Sequence, residues 1–164
     1  MPVPTWSVGQ VLTAADVNSW FVPLAAYKAA DQSVSSLTLA NDNALVIPLA
    51  ASAVYEFWLT FTYAGGTQGS SDLKVAWTFP SGTTMVYARA GIDTSGTFGQ
   101  NKTIQTDVVS FGTLGSGTGV VQCHGSVATT ATSGSLQLQW CQNSGSVVAT
   151  SVKLGSTLTA QRVS

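Results

Sequence analysis

Charge is what this sequence has least of. Of its 164 residues only 8% are Asp, Glu, Lys or Arg, where about 25% is usual, and the 6 cations nearly cancel the 7 carboxylates to leave a net charge of −1. Six scattered cations cannot form the basic stripe that binding to a phosphate backbone requires, which excludes a nucleic-acid partner. No window approaches the ~20 consecutive apolar residues of a helical membrane span, so no membrane partner is expected. The N-terminus has no cationic region followed by an apolar run, which predicts synthesis in the cytoplasm without a secretory signal. On that expectation Asn101-Lys102-Thr103 matches a glycosylation sequon in spelling only.

The same scarcity bears on assembly. Soluble monomers usually carry denser charge, and a net charge further from zero, to resist association. The sequence therefore predicts a surface largely covered by copies of itself or by a host particle. The competing reading is a secreted β-protein whose Ser, Thr and Gly surface keeps it soluble unaided.

Residues that do chemistry are equally sparse. His124 is the single histidine, and no serine lies in a nucleophile-elbow pattern that would use it. The single glutamate, Glu56, sits in the middle of an alternating run, and most aspartates sit among turn residues, where they cap backbone N–H groups rather than form a hydrolytic carboxylate pair. The nearest approach to a metal loop is Asn41-Asp42-Asn43, which reads as a plain turn. No catalytic residue, metal ligand or cofactor is assigned. Cys123 and Cys141 fall on consecutive expected strands but in opposite phase, which points them to opposite faces and disfavours a disulfide.

What is present divides in two. Pro2 and Pro4 favour an extended arm over residues 1 to 10, carrying Trp6. Thr13 then opens a short helix as its N-cap, with Asp16 placed for a reciprocal cap and Leu12 placed to staple onto Val17. Val17, Trp20, Phe21 and Leu24 recur at helical spacing on one face, and Pro23 limits the helix to about ten residues unless it starts a further turn through Lys28. A helix this short is not stable alone in water, so its apolar face needs the β-domain, a symmetry mate or a larger body. Trp6, Val11, Leu12, Val17, Trp20, Phe21 and Leu24 are the candidate attachment residues. The division is an attachment segment over 1–32 and a β-domain over 33–164.

From Ser33 the period becomes two. Tyr55, Phe57, Leu59, Phe61 and Tyr63 form one apolar face of a long strand, and Leu73, Val75, Trp77 and Phe79, then Leu136, Leu138 and Trp140, repeat the pattern. Turn signals rich in Gly, Asn and Ser divide the chain into strands near 34–39, 44–48, 53–63, 72–79, 84–91, 102–111, 119–129, 135–142, 146–154 and 157–163. The fold class is all-β: an antiparallel jelly-roll-like sandwich preceded by an extended arm and a short helix. Glu56 and Trp58 fall out of phase with the core set and point to the opposite face, where Trp58 either stacks on a sugar or is covered by a neighbouring subunit. The scarcity of charge around it favours the subunit contact.

Certain stretches carry a family likeness. Trp6-Ser7-Val8-Gly9-Gln10 followed by Leu12-Thr13-Ala14-Ala15-Asp16-Val17-Asn18 resembles the N-terminal attachment motif of minor virion proteins from tailed phages of actinobacteria. Leu39-Ala40-Asn41-Asp42, the run from Tyr63 to Lys74, and Leu136-Gln137-Leu138-Gln139-Trp140-Cys141-Gln142-Asn143 are similar to small minor tail or capsid-associated proteins. The resemblance implies a non-enzymatic structural role, a homotrimer, and an N-terminal segment that grips major capsid or tail proteins while the β-domain projects outward. The alternative is a host-receptor or carbohydrate-binding module of a tail fibre, meeting a host surface glycan through the loops 65–71 and 91–100.

Overall fold

The computed structural model describes residues 6–66, 69, 71–115 and 117–164, without the side chains of Ser19 and Trp20. One helix, α1 (Ala14–Trp20), precedes β1 (Leu24–Tyr27), β2 (Gln32–Val34), β3 (Ala40–Leu49), β4 (Val54–Ala64), β5 (Leu73–Thr78), β6 (Thr84–Ile92) and β7 (Phe98–Ile104). There follow β8 (Val109–Phe111), β9 (Thr118–Ala128), β10 (Gly134–Gln142), β11 (Thr150–Val152) and β12 (Thr157–Arg162). No helix among the described residues is long and apolar enough to cross a membrane.

Two antiparallel sheets form a sandwich, and the strand order shows how. The smaller sheet runs β3-β10-β5-β8 and the larger contains the path β12-β4-β9-β6-β7. The pairs β3·β10, β4·β9, β5·β8 and β6·β7 are nested, each enclosed by the one before. That nesting is the pattern of a long double strand folded back at the β6–β7 connection and wrapped over two layers, which is the jelly roll expected from the sequence. The remaining strands widen the larger sheet beyond β4. β12 and β11 pair in turn with its free edge, β1 pairs with β12, and β2 pairs with β11.

Alternation along β4 sets the core. Tyr55, Phe57, Leu59, Phe61 and Tyr63 all point inward and are buried, packed in one cluster with Leu45, Ile47 and Leu49 of β3, Leu73, Val75 and Trp77 of β5, and Leu136, Leu138 and Trp140 of β10. Phe57, Trp77 and Tyr87 meet edge-on, with ring centroids 5.7 Å (Phe57 to Trp77), 5.9 Å (Phe57 to Tyr87) and 6.3 Å (Trp77 to Tyr87) apart. Such pairs add about 0.5–1.5 kcal/mol each beyond the area they bury.

Three expectations need correction. The stretch 102–111 is not one strand: β7 closes the larger sheet, and after a turn at 105–108 β8 joins the smaller one. Neither does the helix continue past Pro23, because Leu24 begins β1, pairs with Ala160 and packs against the core. Strand residues therefore appear at 24–27 and 32–34, earlier than the change of period in the sequence indicated. Lastly, Asn41-Asp42-Asn43 lies within β3 rather than in a free turn. The turn chemistry survives as a bulge, where the register against Gln137 and Gln139 shifts and the Asp42 carboxylate accepts from the N–H of Ala44 and Leu45, both at 2.9 Å.

Asp42 also anchors a buried charge. Lys28, just past β1, is completely buried, and its Nζ donates to both Asp42 oxygens at 2.8 and 2.9 Å, to Gln32 Oε1 at 2.9 Å and to Asn43 Oδ1 at 2.8 Å. Trp140 Nε1 donates to the same carboxylate at 2.9 Å. Burying both ions costs several kcal/mol, and only this degree of hydrogen bonding offsets it. Burial by itself would raise the Asp42 carboxyl, but the hydrogen bonds from Lys28 and from the Leu45 and Ala44 amides outweigh it and leave it below the usual carboxylate range. The backbone of Lys28 is tied as well, donating to Ser156 O at 2.9 Å and accepting from Gly155 N at 2.8 Å.

Two outcomes are expected. Deleting residues 158–164 removes Leu158 and Ala160 from the core and withdraws β12 from between β1 and β4, so the product fails to fold. A soluble product with a cooperative thermal transition would contradict this. Asp42→Ala leaves the Lys28 ammonium buried without a counter-ion and lowers stability by about 3–5 kcal/mol in urea unfolding. Because the folded-state pKa of Asp42 is lowered, its contribution is fully present above the unfolded-state value of about 3.9 and is lost as pH falls below it. Asp42→Ala should therefore flatten this part of the acid limb of the stability profile.

Candidate functional site

Two surfaces stand out, the segment ahead of Pro23 and the outer face of the larger sheet. The first is ordered by its own local chemistry. Ser7 to Gln10 close a turn through Gln10 N to Ser7 O at 3.0 Å, with Gly9 at φ +84°, a left-handed value that glycine adopts without strain. This replaces the extended run expected up to residue 10; residues 1–5, including Pro2 and Pro4, lie outside the described residues. Thr13 caps α1 as expected: its Oγ1 accepts from Asp16 N at 3.1 Å while the Asp16 carboxylate accepts from Thr13 N at 3.0 Å. The Thr13 hydroxyl and amide bonds hold the Asp16 carboxyl below its ordinary range.

The described apolar side chains ahead of Pro23 are left facing water. Val8 and Val11 are fully or nearly fully exposed, Phe21 is 59% exposed, and Leu12, Val22, Val17 and Trp6 are also exposed. Leu24 alone of the candidate attachment residues packs against the sandwich core, while the Trp20 side chain lies outside the described part of the structure. The helix approaches β12 only loosely. A cavity of about 340 Å³ remains there, lined by Asn18 and Val22 on one side and Pro48, Leu49, Tyr55 and Arg162 on the other.

The second surface follows from the register of the large sheet. Trp58 pairs with His124 of β9 and Thr159 of β12, and beyond His124 come Ala88 of β6 and Lys102 of β7. In the neighbouring rows Gln122, Ala90 and Gln100 extend from Thr60, and Ser126, Val86 and Ile104 extend from Glu56. The Trp58 and His124 rings stack with centroids 4.9 Å apart and planes 11° from parallel. His124 Nε2 lies 2.9 Å from Glu56 Oε1, donating to it, since an ionised carboxylate can only accept. Glu56 thus orients the imidazole, and the imidazole lies against the indole. Sequence phase put Glu56 and Trp58 on one face; His124 as their partner depended on the β4–β9 register, which the chain does not spell out.

Beside this stack runs a groove. The short side chains of Ala88 and Ala90, with Val86, lie between the ridge of Trp58, Gln122 and His124 and the β7 residues Gln100 and Lys102. Two adjoining cavities of about 680 and 250 Å³ share Ala88, Gln100 and His124. Gly125 is a requirement of this region: a Cβ there would sit 2.2 Å from Val86 O and 2.5 Å from Tyr87 Cα.

Among the described residues, the His124 side chain is hydrogen-bonded to Glu56 alone, so no hydroxyl or thiol is activated by it. No group of three or more His, Cys, Asp and Glu residues among them is arranged to hold a metal ion. Cys123 and Cys141 are free and buried, in the larger and smaller sheet respectively, and burial raises both thiols, that of Cys123 to about 12. Of the loop 65–71, residues 67, 68 and 70 lie outside the described residues.

No family model matches this chain, and no curated protein matches it. Among solved structures it is similar to a chain of the baseplate tripod of bacteriophage Tuc2009, at 10% identity over 98% of this chain and 74% of that one, with a TM-score of 0.35. It is also similar to a mutant VP2 protein of infectious bursal disease virus in T=1 particles, at 9% identity over 98% of this chain and 43% of that one, with a TM-score of 0.20. A structure of the Gx strain of the same virus matches at 8% identity over 99% of this chain and 41% of that one, with a TM-score of 0.19. The assignment of the sandwich rests on the strand order described above.

Proposed function

We propose that this chain is a non-enzymatic virion structural protein of a tailed phage, of the kind carried by phages of actinobacteria. In this reading it is a homotrimer that decorates the capsid or the tail, gripping major capsid or tail proteins through its N-terminal segment and projecting the sandwich outward. One observation carries the reading: the segment ahead of Pro23 is capped and turned by its own residues yet leaves Val8, Val11, Leu12, Val17, Phe21 and Val22 exposed. A seven-residue helix has too few internal hydrogen bonds to hold itself in water, so a capped helix that leaves Val17 and Phe21 exposed supports reading this segment as half of an interface. The likeness of residues 6–18 to phage attachment motifs and the 8% charge content support the same reading, and the trimer rests on that likeness.

The attachment segment in this proposal ends at Val22 rather than at residue 32, because Leu24 to Tyr27 pair with β12 and Lys28 neutralises Asp42. A chain beginning at Pro23 should therefore keep the sandwich intact, with a melting temperature within a few degrees of the full chain. It should fail to join particles assembled without their own copy, losing at least tenfold in occupancy by quantitative gel. Normal incorporation of the shortened chain would show that the anchor lies elsewhere.

A further inference from the structure

We propose that the groove along β6 on the outer face of the larger sheet binds a neutral glycan, with the Trp58–His124 stack as its apolar wall. Stacking on an aromatic surface is how proteins hold the C–H face of a sugar, and it is most effective when the ring is already fixed. Here His124 Nε2 bonds Glu56 at 2.9 Å and its ring stacks on Trp58 at 4.9 Å between centroids, which biases the indole, 41% exposed, toward one orientation before binding.

The polar groups suit hydroxyls. Gln100 and Gln122 flank the alanine floor, and neither amide makes a side-chain hydrogen bond to the described chain. Each offers donors and an acceptor, which matches a hydroxyl group that both donates and accepts. Ser126, in the same outward phase as His124 and Gln122, adds a hydroxyl in the adjoining cavity. Charge then selects the ligand class. The groove holds one carboxylate, Glu56, already engaged by His124, and one ammonium, Lys102. A sulfated or phosphorylated polymer would need several cations along its path, so a neutral sugar chain is the better complement. Val86 to Ala90 span about 13 Å at the strand rise of ~3.3 Å per residue, long enough for a short oligosaccharide rather than a single ring.

A second copy of this chain is the rival occupant, and the sequence favoured it. Concavity argues the other way. The face recedes over Ala88 and Ala90, so this face meeting itself in two copies would trap a cavity where a stable interface is close-packed, and a contact with a different patch of a second copy is read out by the oligomeric mass below. The inference does not depend on how the protein is attached to a particle.

The test is an array of neutral oligosaccharides built from glucose, galactose, mannose and arabinose, with dextran sulfate as an acidic comparator. The full-length protein, Trp58→Ala and Gln122→Ala are compared, with calorimetric titration of the strongest hit and oligomeric mass by light scattering for each. The proposal expects retention on at least one neutral oligosaccharide over dextran sulfate, affinity at least tenfold weaker in Trp58→Ala and at least threefold weaker in Gln122→Ala, and mass and melting temperature unchanged. It is overturned if no neutral oligosaccharide is retained, if the variants bind as the parent does, or if Trp58→Ala lowers the oligomeric mass, which would put a second copy on this face.

Discussion

Strict alternation along β4 governs this molecule on both of its sides. The eleven residues from Val54 to Ala64 pair with β9 along one edge and with β12 and β11 along the other, so their phase sets the phase of the larger sheet. Inward it delivers Tyr55, Phe57, Leu59, Phe61 and Tyr63 to the core; outward it delivers Glu56, Trp58, Thr60 and Thr62. A slip of one residue would exchange the two sets, exposing the largest part of the aromatic core and burying a carboxylate. The stacked indole and imidazole therefore occupy a surface whose position the core holds fixed.

The buried Lys28–Asp42 pair explains where the sandwich begins. An unpaired charge at either site would be costly, so Lys28 has to arrive when β3 does, and the backbone leading to it is drawn into the larger sheet as β1. Upstream of Pro23 the described residues show no buried ion pair of this kind. There the order comes from a capping box and a turn, whose energies are small, and the apolar side chains remain uncovered. Strong ties on one side of Pro23 and weak ones on the other are what the proposed division into an attachment segment and a sandwich rests on.

Much of this architecture was legible in the chain. Alternation of large apolar residues marked β4, β5 and β10 and their core faces, and Thr13 with Asp16 marked the start of α1, because both signals are local. Topology was partly legible, since ten short strands with regular turn signals favour a two-sheet sandwich. What the chain concealed depends on partners distant in sequence. Leu24 reads as the next turn of an amphipathic helix until β12 offers it a strand edge. Asp42 reads as a turn residue until Lys28 and Trp140 close around it, 14 and 98 positions away. His124 reads as one polar residue of a polar face until the β4–β9 register sets it against Trp58 and Glu56.

The central claim is that residues 6–22 complete themselves on another molecule and the sandwich does not need them. Amide hydrogen exchange read on the free protein and on the same protein carried by particles tests it most directly. The account predicts rapid exchange over 6–22 in the free protein, with β4 and β9 protected, and strong slowing of that segment on particles while the sandwich is unchanged. Equal rates over 6–22 in the two states, with slowing confined to the sandwich, would contradict it.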